Sequence, residues 1–259
     1  MFKQQALSGV VDYEKLSGQM QGKIFDSLME KVKVKADSKI IDIGCGTGNN
    51  TFKLSKMIGD EGIVTGIDPI KQRIEKASDV YGFKSNLNFK EGSAEDSWQF
   101  GTDHDLAVST TVLHWVPVNK RKEAFRGIYK SLKPNSMFVF DAVRSHNFNS
   151  AFVVENVSCY NQFLENAFPL SKEDAENVLV EAEFQDISVT EVDICIPFPN
   201  LDVYLRWLAC SIHVGGYTQI LDDLRDICQS KDLTSLYDDN GQILHKHEYI
   251  FGYCRKLTF

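Results

Sequence analysis

Three glycines at alternate positions, Gly44, Gly46 and Gly48, follow an acid, Asp42, at the end of a short apolar run, Ile40-Ile41-Asp42-Ile43. Bare main chain in such a loop lets a ligand lie against backbone N–H groups, and the segment Thr51 to Ile58 that follows can present a helix N-terminus to it. The spacing departs from the dinucleotide fingerprint G-x-G-x-x-G, whose third glycine seats the helix beneath a pyrophosphate. A carboxylate two residues before the first glycine repels a pyrophosphate and suits a ligand that carries positive charge. Twenty residues after Gly48, Asp68 closes a second apolar run, Val64-Thr65-Gly66-Ile67, where it is placed to accept both hydroxyls of a ribose. These residues therefore describe a ligand with a ribose, a cationic group and no essential phosphate.

Three more segments follow in order: Glu91-Gly92-Ser93-Ala94-Glu95, Asp105 to Val116, and Leu132-Lys133-Pro134-Asn135. S-adenosylmethionine fits the ligand description, and over roughly residues 38–142 the chain resembles the class I S-adenosylmethionine-dependent methyltransferases. The resemblance implies a Rossmann-like α/β fold, with a seven-stranded, mostly parallel sheet, an antiparallel last strand and a helical cap. It implies S-adenosylmethionine as cofactor and S-adenosylhomocysteine as product. Carried over residue by residue, it assigns cofactor contacts to Asp42, Gly44, Cys45, Gly46, Gly48, Asp68, Pro69, Ser93, Ala94, Glu95 and Ser109. The family commonly has an acid at the position of Ser93; a hydroxyl accepts without charge assistance, so a weaker adenine contact is expected there.

Within the family, Leu113-His114-Trp115-Val116 resembles the small-molecule carboxyl methyltransferases, such as those acting on trans-aconitate, juvenile hormone or farnesoic acids, and malonyl-acyl carrier protein. That resemblance makes His114 and Trp115 the catalytic candidates. It places the substrate carboxylate between the Trp115 indole and a glutamine of the N-terminal helix, Gln21, with Gln19 as its substitute. Arg144, just past the fifth strand, is a candidate partner for a second substrate carboxylate, with an ion pair in the cap as its plain alternative. The expected reaction is methyl-ester formation on a small, apolar or isoprenoid-like carboxylic acid. The competing expectations are methylation of a phenol, an amine or a sterol carbon with His114 as base, and a non-catalytic S-adenosylmethionine-binding partner subunit. Core packing for Trp115 and a structural hydrogen bond for His114 are the alternatives that need no substrate.

The elements that must position these groups can be read from periodicity. Apolar side chains recur from Tyr13 to Val34 as in an amphipathic helix, either capping the core or serving as a lid over the cofactor mouth. Lys71 to Tyr81 reads as a helix, Leu87 to Lys90 and His104 to Val108 as strands, and Arg121 to Leu132 as a helix. A turn at Pro134-Asn135 leads to a strand over Met137 to Asp141. Ser171 caps a helix running to Glu183, Ile187 to Ile196 alternates as a strand, and Pro197-Phe198-Pro199-Asn200 breaks the chain. Helices over Asp202 to Ile212 and Tyr217 to Gln229 and a last strand over His247 to Lys256 complete the pattern.

With 259 residues and 43% hydrophobic side chains, the chain suits one methyltransferase domain spanning residues 1–259. Its expected core covers about 35–143, 171–196 and 245–259, and its cap about 1–34, 144–168 and 197–240. The net charge of −8, with no basic stripe to offset it, argues against a nucleic-acid partner. The six cysteines are scattered without a C-x-x-C pair, which points to reduced thiols and a cytoplasmic setting. There is neither a signal-like apolar segment at the start nor a run long enough to span a bilayer. His245-Lys246-His247 lacks acids or cysteines at metal spacing, so no metal is expected. The expected partner is a small-molecule acid, and the expected state a monomer or weak homodimer.

Overall fold

The computed structural model describes residue 18 and residues 20–145, 167–211, 217–229, 232–234 and 237–258. Seven strands form one sheet: β1 (Lys39–Ile43), β2 (Ile63–Asp68), β3 (Leu87–Glu91), β4 (His104–Ser109), β5 (Leu132–Val143), β6 (Gln185–Phe198) and β7 (Ile243–Lys256). Their order across the sheet is β3-β2-β1-β4-β5-β7-β6. Strands β1 to β5 are parallel, and β7 runs antiparallel to both β5 and β6. This is the Rossmann-like arrangement expected, with the antiparallel strand last in sequence and inserted next to the edge.

The short apolar runs become strands because both faces of the sheet are covered, so every side chain along β1 after Lys39 is buried. On one face Ile40, Val64, Leu106, Val108, Val139, Tyr249 and Phe251 pack with three sets of helices. These are α1 (residues 20–29), α2 (Asn49–Ile58) and the pair α6 (Leu201–Ser211) and α7 (Tyr217–Gln229). On the other face Ile41, Ile43, Ala107, Phe138, Phe140 and Ile250 pack with α4 (Val118–Ser131) and α5 (Lys172–Glu181). The helix α3 (Lys71–Tyr81) follows β2 and buries Ile74 and Ala77.

Three of the boundaries that differ from the sequence pattern do so for a physical reason. Helix α1 stops at residue 29 instead of reaching Val34, and residues 32–35 are irregular. Its buried face, Ile24, Phe25, Leu28 and Met29, is a wall of the core; Tyr253 donates to the Leu28 carbonyl (3.0 Å), and Lys53 binds the Gly22 carbonyl (3.1 Å) and Asp26 (2.7 Å). Residues 20–29 thus cap the core; residues 13–17 and 19 of the expected helix lie outside the described residues. Strand β5 begins at Leu132 rather than Met137, because Leu132 pairs with His104 and Met137 with Leu106. Residues 133–136 loop out opposite Asp105, with Asn135 in the left-handed region at φ 64°. The proline turn is therefore a bulge inside the strand, fastened by an ion pair between Lys133 and Asp105.

Strand β6 continues through Pro197 to Phe198, where a break was expected. It is the edge strand of the sheet, so a proline without an N–H loses no interior ladder bond. At the start of α5, the Ser171 hydroxyl accepts the Asp174 N–H (3.1 Å), as its N-cap position requires. Of the expected cap, residues 146–166 and 212–216, including His213, lie outside the described residues.

Gly252 on β7 leaves room for the Phe140 ring of β5: a Cβ there would overlap the ring. The substitution Gly252→Ala is therefore expected to destabilise the fold by about 1–3 kcal/mol, the usual range for overpacking. Urea denaturation checks it: the midpoint should fall while the slope of the transition stays unchanged.

Candidate functional site

The strand order reverses between β1 and β4, and ligands of open parallel sheets bind outside the carboxyl ends of the strands at such a switch point. All the expected cofactor residues leave the sheet at this edge. From the end of β1 the loop turns toward β2: Gly44 N–H and Cys45 N–H both donate to the Ile67 carbonyl, at 2.7 and 2.9 Å. Gly44, Gly46 and Gly48 all have positive φ. Gly46 is the decisive one, because a Cβ at its φ of 56° would point into open space, where a ligand could lie against bare main chain.

Asp68 anchors the loop. Its Oδ2 accepts the Gly46 N–H (3.1 Å) and its Oδ1 the Ile70 N–H (2.9 Å), with Arg73 at 3.7 Å from Oδ2. Its own carbonyl accepts the Gly92 N–H (3.1 Å). Each carboxylate oxygen keeps a further lone pair, so the side chain is oriented but still able to accept from a diol. Pro69 and Ile70 beside it are exposed and apolar.

Asp42 is buried, and one carboxylate oxygen accepts the Thr51 hydroxyl (2.7 Å) while the other, Oδ1, has no hydrogen-bond partner. Burial raises its pKa to about 6; the Thr51 hydrogen bond opposes the rise and nearby Asp68 adds to it. A buried acceptor without a partner is costly, so the site is prepared for a donor, and a cation is the best one. Cys45 is buried, and burial raises its thiol pKa, with the charges of Asp42 and Asp68 adding to the effect. Such a thiol fills space against Gly66 and stays unreactive.

The remaining assigned residues divide by what their side chains already hold. Ser93 donates to Asp96 (3.1 Å), and Asp96 also accepts from Gln99 (2.8 Å). The Ser93 lone pairs thus remain available to accept, with a carboxylate behind them. Ala94 is buried and Glu95 half-buried, each on the turn that leads to Ser97. The buried Ser109 hydroxyl donates to the Ile43 carbonyl (3.1 Å), tying β4 to β1.

His114 and Trp115 sit in a single 3₁₀ turn, Leu113–Trp115, with ring centroids 5.1 Å apart. His114 is buried, its Nδ1 accepts the Val143 N–H (3.4 Å), and its carbonyl accepts the Phe168 N–H (2.7 Å). Trp115 is half-buried against the first core, which also takes Met20, the neighbour of half-buried Gln21. Gln19 lies outside the described residues. Arg144, expected either as a substrate anchor or in an ion pair of the cap, is ion-paired with Asp193 (2.9 Å), Glu248 (3.5 Å) and Glu191 (3.9 Å) from β6 and β7. Among the described residues no group of three or more His, Cys, Asp or Glu stands close enough to hold a metal, and no helix is long and apolar enough to cross a membrane.

Sequence reasoning missed four residues of this edge: Thr51, Asp96, Asp141 and Val112. Thr51, Asp141 and Val112 act on residues distant along the chain, so no local spacing announces them, whereas Asp96 meets Ser93 within a single turn. The Thr in the first turn of the helix after the glycines was the one available signal, being a hydroxyl that follows the loop above Asp42.

Residues 40–135 match the profile of the methyltransferase domain family. This segment is similar to a methyltransferase domain. Human arsenite methyltransferase is 33% identical over 115 residues, covering 40% of this chain and 30% of its own. The O-methyltransferase cnsE of Penicillium expansum is 31% identical over 157 residues, covering 59% of this chain and 54% of its own. The chain thus spans between about a third and about a half of these curated relatives. The fold is shared with phosphoethanolamine N-methyltransferase 2 of Haemonchus contortus, solved with S-adenosylmethionine: the TM-score is 0.62 at 16% identity, over 97% of this chain and 57% of that one. The open face at Gly46, the oriented Asp68 and the unpartnered Asp42 oxygen fit the main chain contact, ribose and cation of S-adenosylmethionine.

Two expectations follow for the domain. Asp68→Ala should weaken S-adenosylhomocysteine by about 2–3 kcal/mol in calorimetry, through loss of a charge-assisted contact to the diol. A cation favours the ionised form of Asp42, so below about pH 6, where Asp42 is protonated in the free protein, binding must expel a proton. Affinity for S-adenosylhomocysteine should therefore decline as pH falls from 7 to 5, and that decline should vanish in Asp42→Asn.

Proposed function

We propose that the chain, as one unit, is an S-adenosylmethionine-dependent O-methyltransferase that forms the methyl ester of a small, apolar carboxylic acid. The observation that carries this reading is the hydrogen bond from Val143 N–H to His114 Nδ1. With Nδ1 accepting, the neutral ring carries its proton on Nε2 and is a donor there, so no lone pair of His114 is left to act as base. An acceptor handled by such a site must arrive already ionised, and a carboxylate does so near neutral pH.

When bound, S-adenosylmethionine supplies a methyl group on a sulfonium, open to in-line displacement. What remains for the chain is to hold, orient and exclude water. The glycine loop and Asp68 would hold the cofactor, and Asp42 its cationic end. The Trp115 indole N–H and the amide of Gln21, or of Gln19, would donate to the acid without a fixed ion pair that blunts its nucleophilicity. The relative named as an O-methyltransferase supports an oxygen acceptor.

The test pairs two variants with product mass spectrometry on a panel of short, branched, isoprenoid and dicarboxylic acids. Trp115→Phe should lower kcat/KM by about 1–3 kcal/mol, as for a buried acceptor left unpaired, and His114→Asn by much less. The rate should stay flat from about pH 6 to 8, above the carboxyl pKa of about 4. A rate that climbs through a histidine pKa and collapses in His114→Asn would instead establish a phenol or amine acceptor with His114 as base.

A further inference from the structure

Asp141, on the last third of β5, is fully buried, yet nothing in the expected chemistry uses it. Its Oδ2 accepts both the backbone N–H (3.0 Å) and the hydroxyl (3.3 Å) of Thr111, while its Oδ1 has no hydrogen-bond partner. Thr111 itself lies at φ 58°, in the left-handed region that a β-branched residue rarely enters. Such a conformation persists only where the surroundings hold it.

The residues on either side of Thr111 show what the strained twist accomplishes. Thr110 accepts from Asn50 of α2 (3.1 Å). Val112 sits so close to Gly44 that any Cβ there would overlap its methyl groups. The chain then enters the 3₁₀ turn directly, with Trp115 N–H donating to the Val112 carbonyl (2.8 Å). One reversal of φ at Thr111 therefore sends the loop away from α2, lays Val112 on the glycine loop and aims the His114-Trp115 pair.

We propose that Asp141 is a positioning residue: by holding Thr111 in the left-handed conformation it sets the register of residues 110–116 against the Gly44 loop. The proposal rests on the methyltransferase reading for its consequence in catalysis, but the latch itself needs no ligand. Burial raises the Asp141 pKa to about 7 against the opposing Thr111 hydrogen bonds, so the group sits in this place at a cost, as a merely space-filling residue would not.

The test is a double-mutant cycle on the full chain. Glycine takes positive φ without strain, so it should remove the need for the latch. Asp141→Ala is expected to speed amide exchange at residues 112–115 and to weaken S-adenosylhomocysteine, each by about tenfold, through loss of the Val112 packing. Thr111→Gly alone should leave both nearly unchanged. In the Thr111→Gly background, Asp141→Ala should change either readout by less than about threefold. Asp141→Asn, which keeps an acceptor and the side-chain volume, should lie between wild type and Asp141→Ala.

If Asp141→Ala is equally harmful with glycine at position 111, or if the double variant fails to fold while Thr111→Gly folds, the latch is overturned. Unchanged exchange at residues 112–115 in Asp141→Ala overturns it as well. The exchange readout is taken without ligand. A wild-type protein that binds no S-adenosylhomocysteine would thus refute the cofactor reading while leaving the latch to be decided separately.

Discussion

The carboxylate of Asp68 is the joint of the ligand edge. It receives N–H groups from the glycine loop and from the start of α3, and its carbonyl receives the N–H of Gly92 after β3. Three loops from three neighbouring strands are thereby fixed to one residue at the end of β2. Backbone donors on a buried acid fix its rotamer, so its remaining lone pairs point one way. Without that joint, Gly46 would have no reason to hold its positive φ, and the concave backbone that a ligand could enter would be one conformer among several.

Two further buried acids, Asp42 and Asp141, stand on either side of the switch point with one oxygen each lacking a partner. Desolvation raises the pKa of both. Their positions differ in kind: Asp42 underlies the loop that would receive a cation, whereas Asp141 grips the loop that carries Trp115. A protein with a net charge of −8 would gain nothing from burying two more acids for stability alone. Strain and unmet polar groups gathered at one rim are what a site prepared for a ligand looks like.

The ligand edge was largely legible in the sequence, since it is written in local terms. Glycines at fixed offsets, an acid closing an apolar run, and a serine before a helix with an acid at its third residue all act within a few positions of themselves. Thus α3 and α7 have the bounds their periodicity implies. What could not be read depends on contacts across the fold. The bulge at residues 133–136 is visible only once Leu132 and Met137 are seen beside His104 and Leu106. The grip of Asp141 on Thr111 spans thirty residues. Arg144 looked like an anchor for an anion because its three acids lie 47 to 104 positions away on β6 and β7. Ser93 looked like a weak substitute for an acid, because Asp96 stands behind it only after the turn has closed.

The long edge strand β6 raises a problem of its own. Fourteen residues with one row of backbone groups facing outward make a template on which another chain could extend the sheet. Pro197 leaves a gap in that row near one end. Along its length Glu191 and Asp193 are paired with Arg144, just past β5, and Lys246 of β7, so their charge is held at the border instead of swinging free. An incoming strand would have to displace those pairs and meet a proline. The arginine offered as a substrate anchor thus also holds the charges of the edge strand in place.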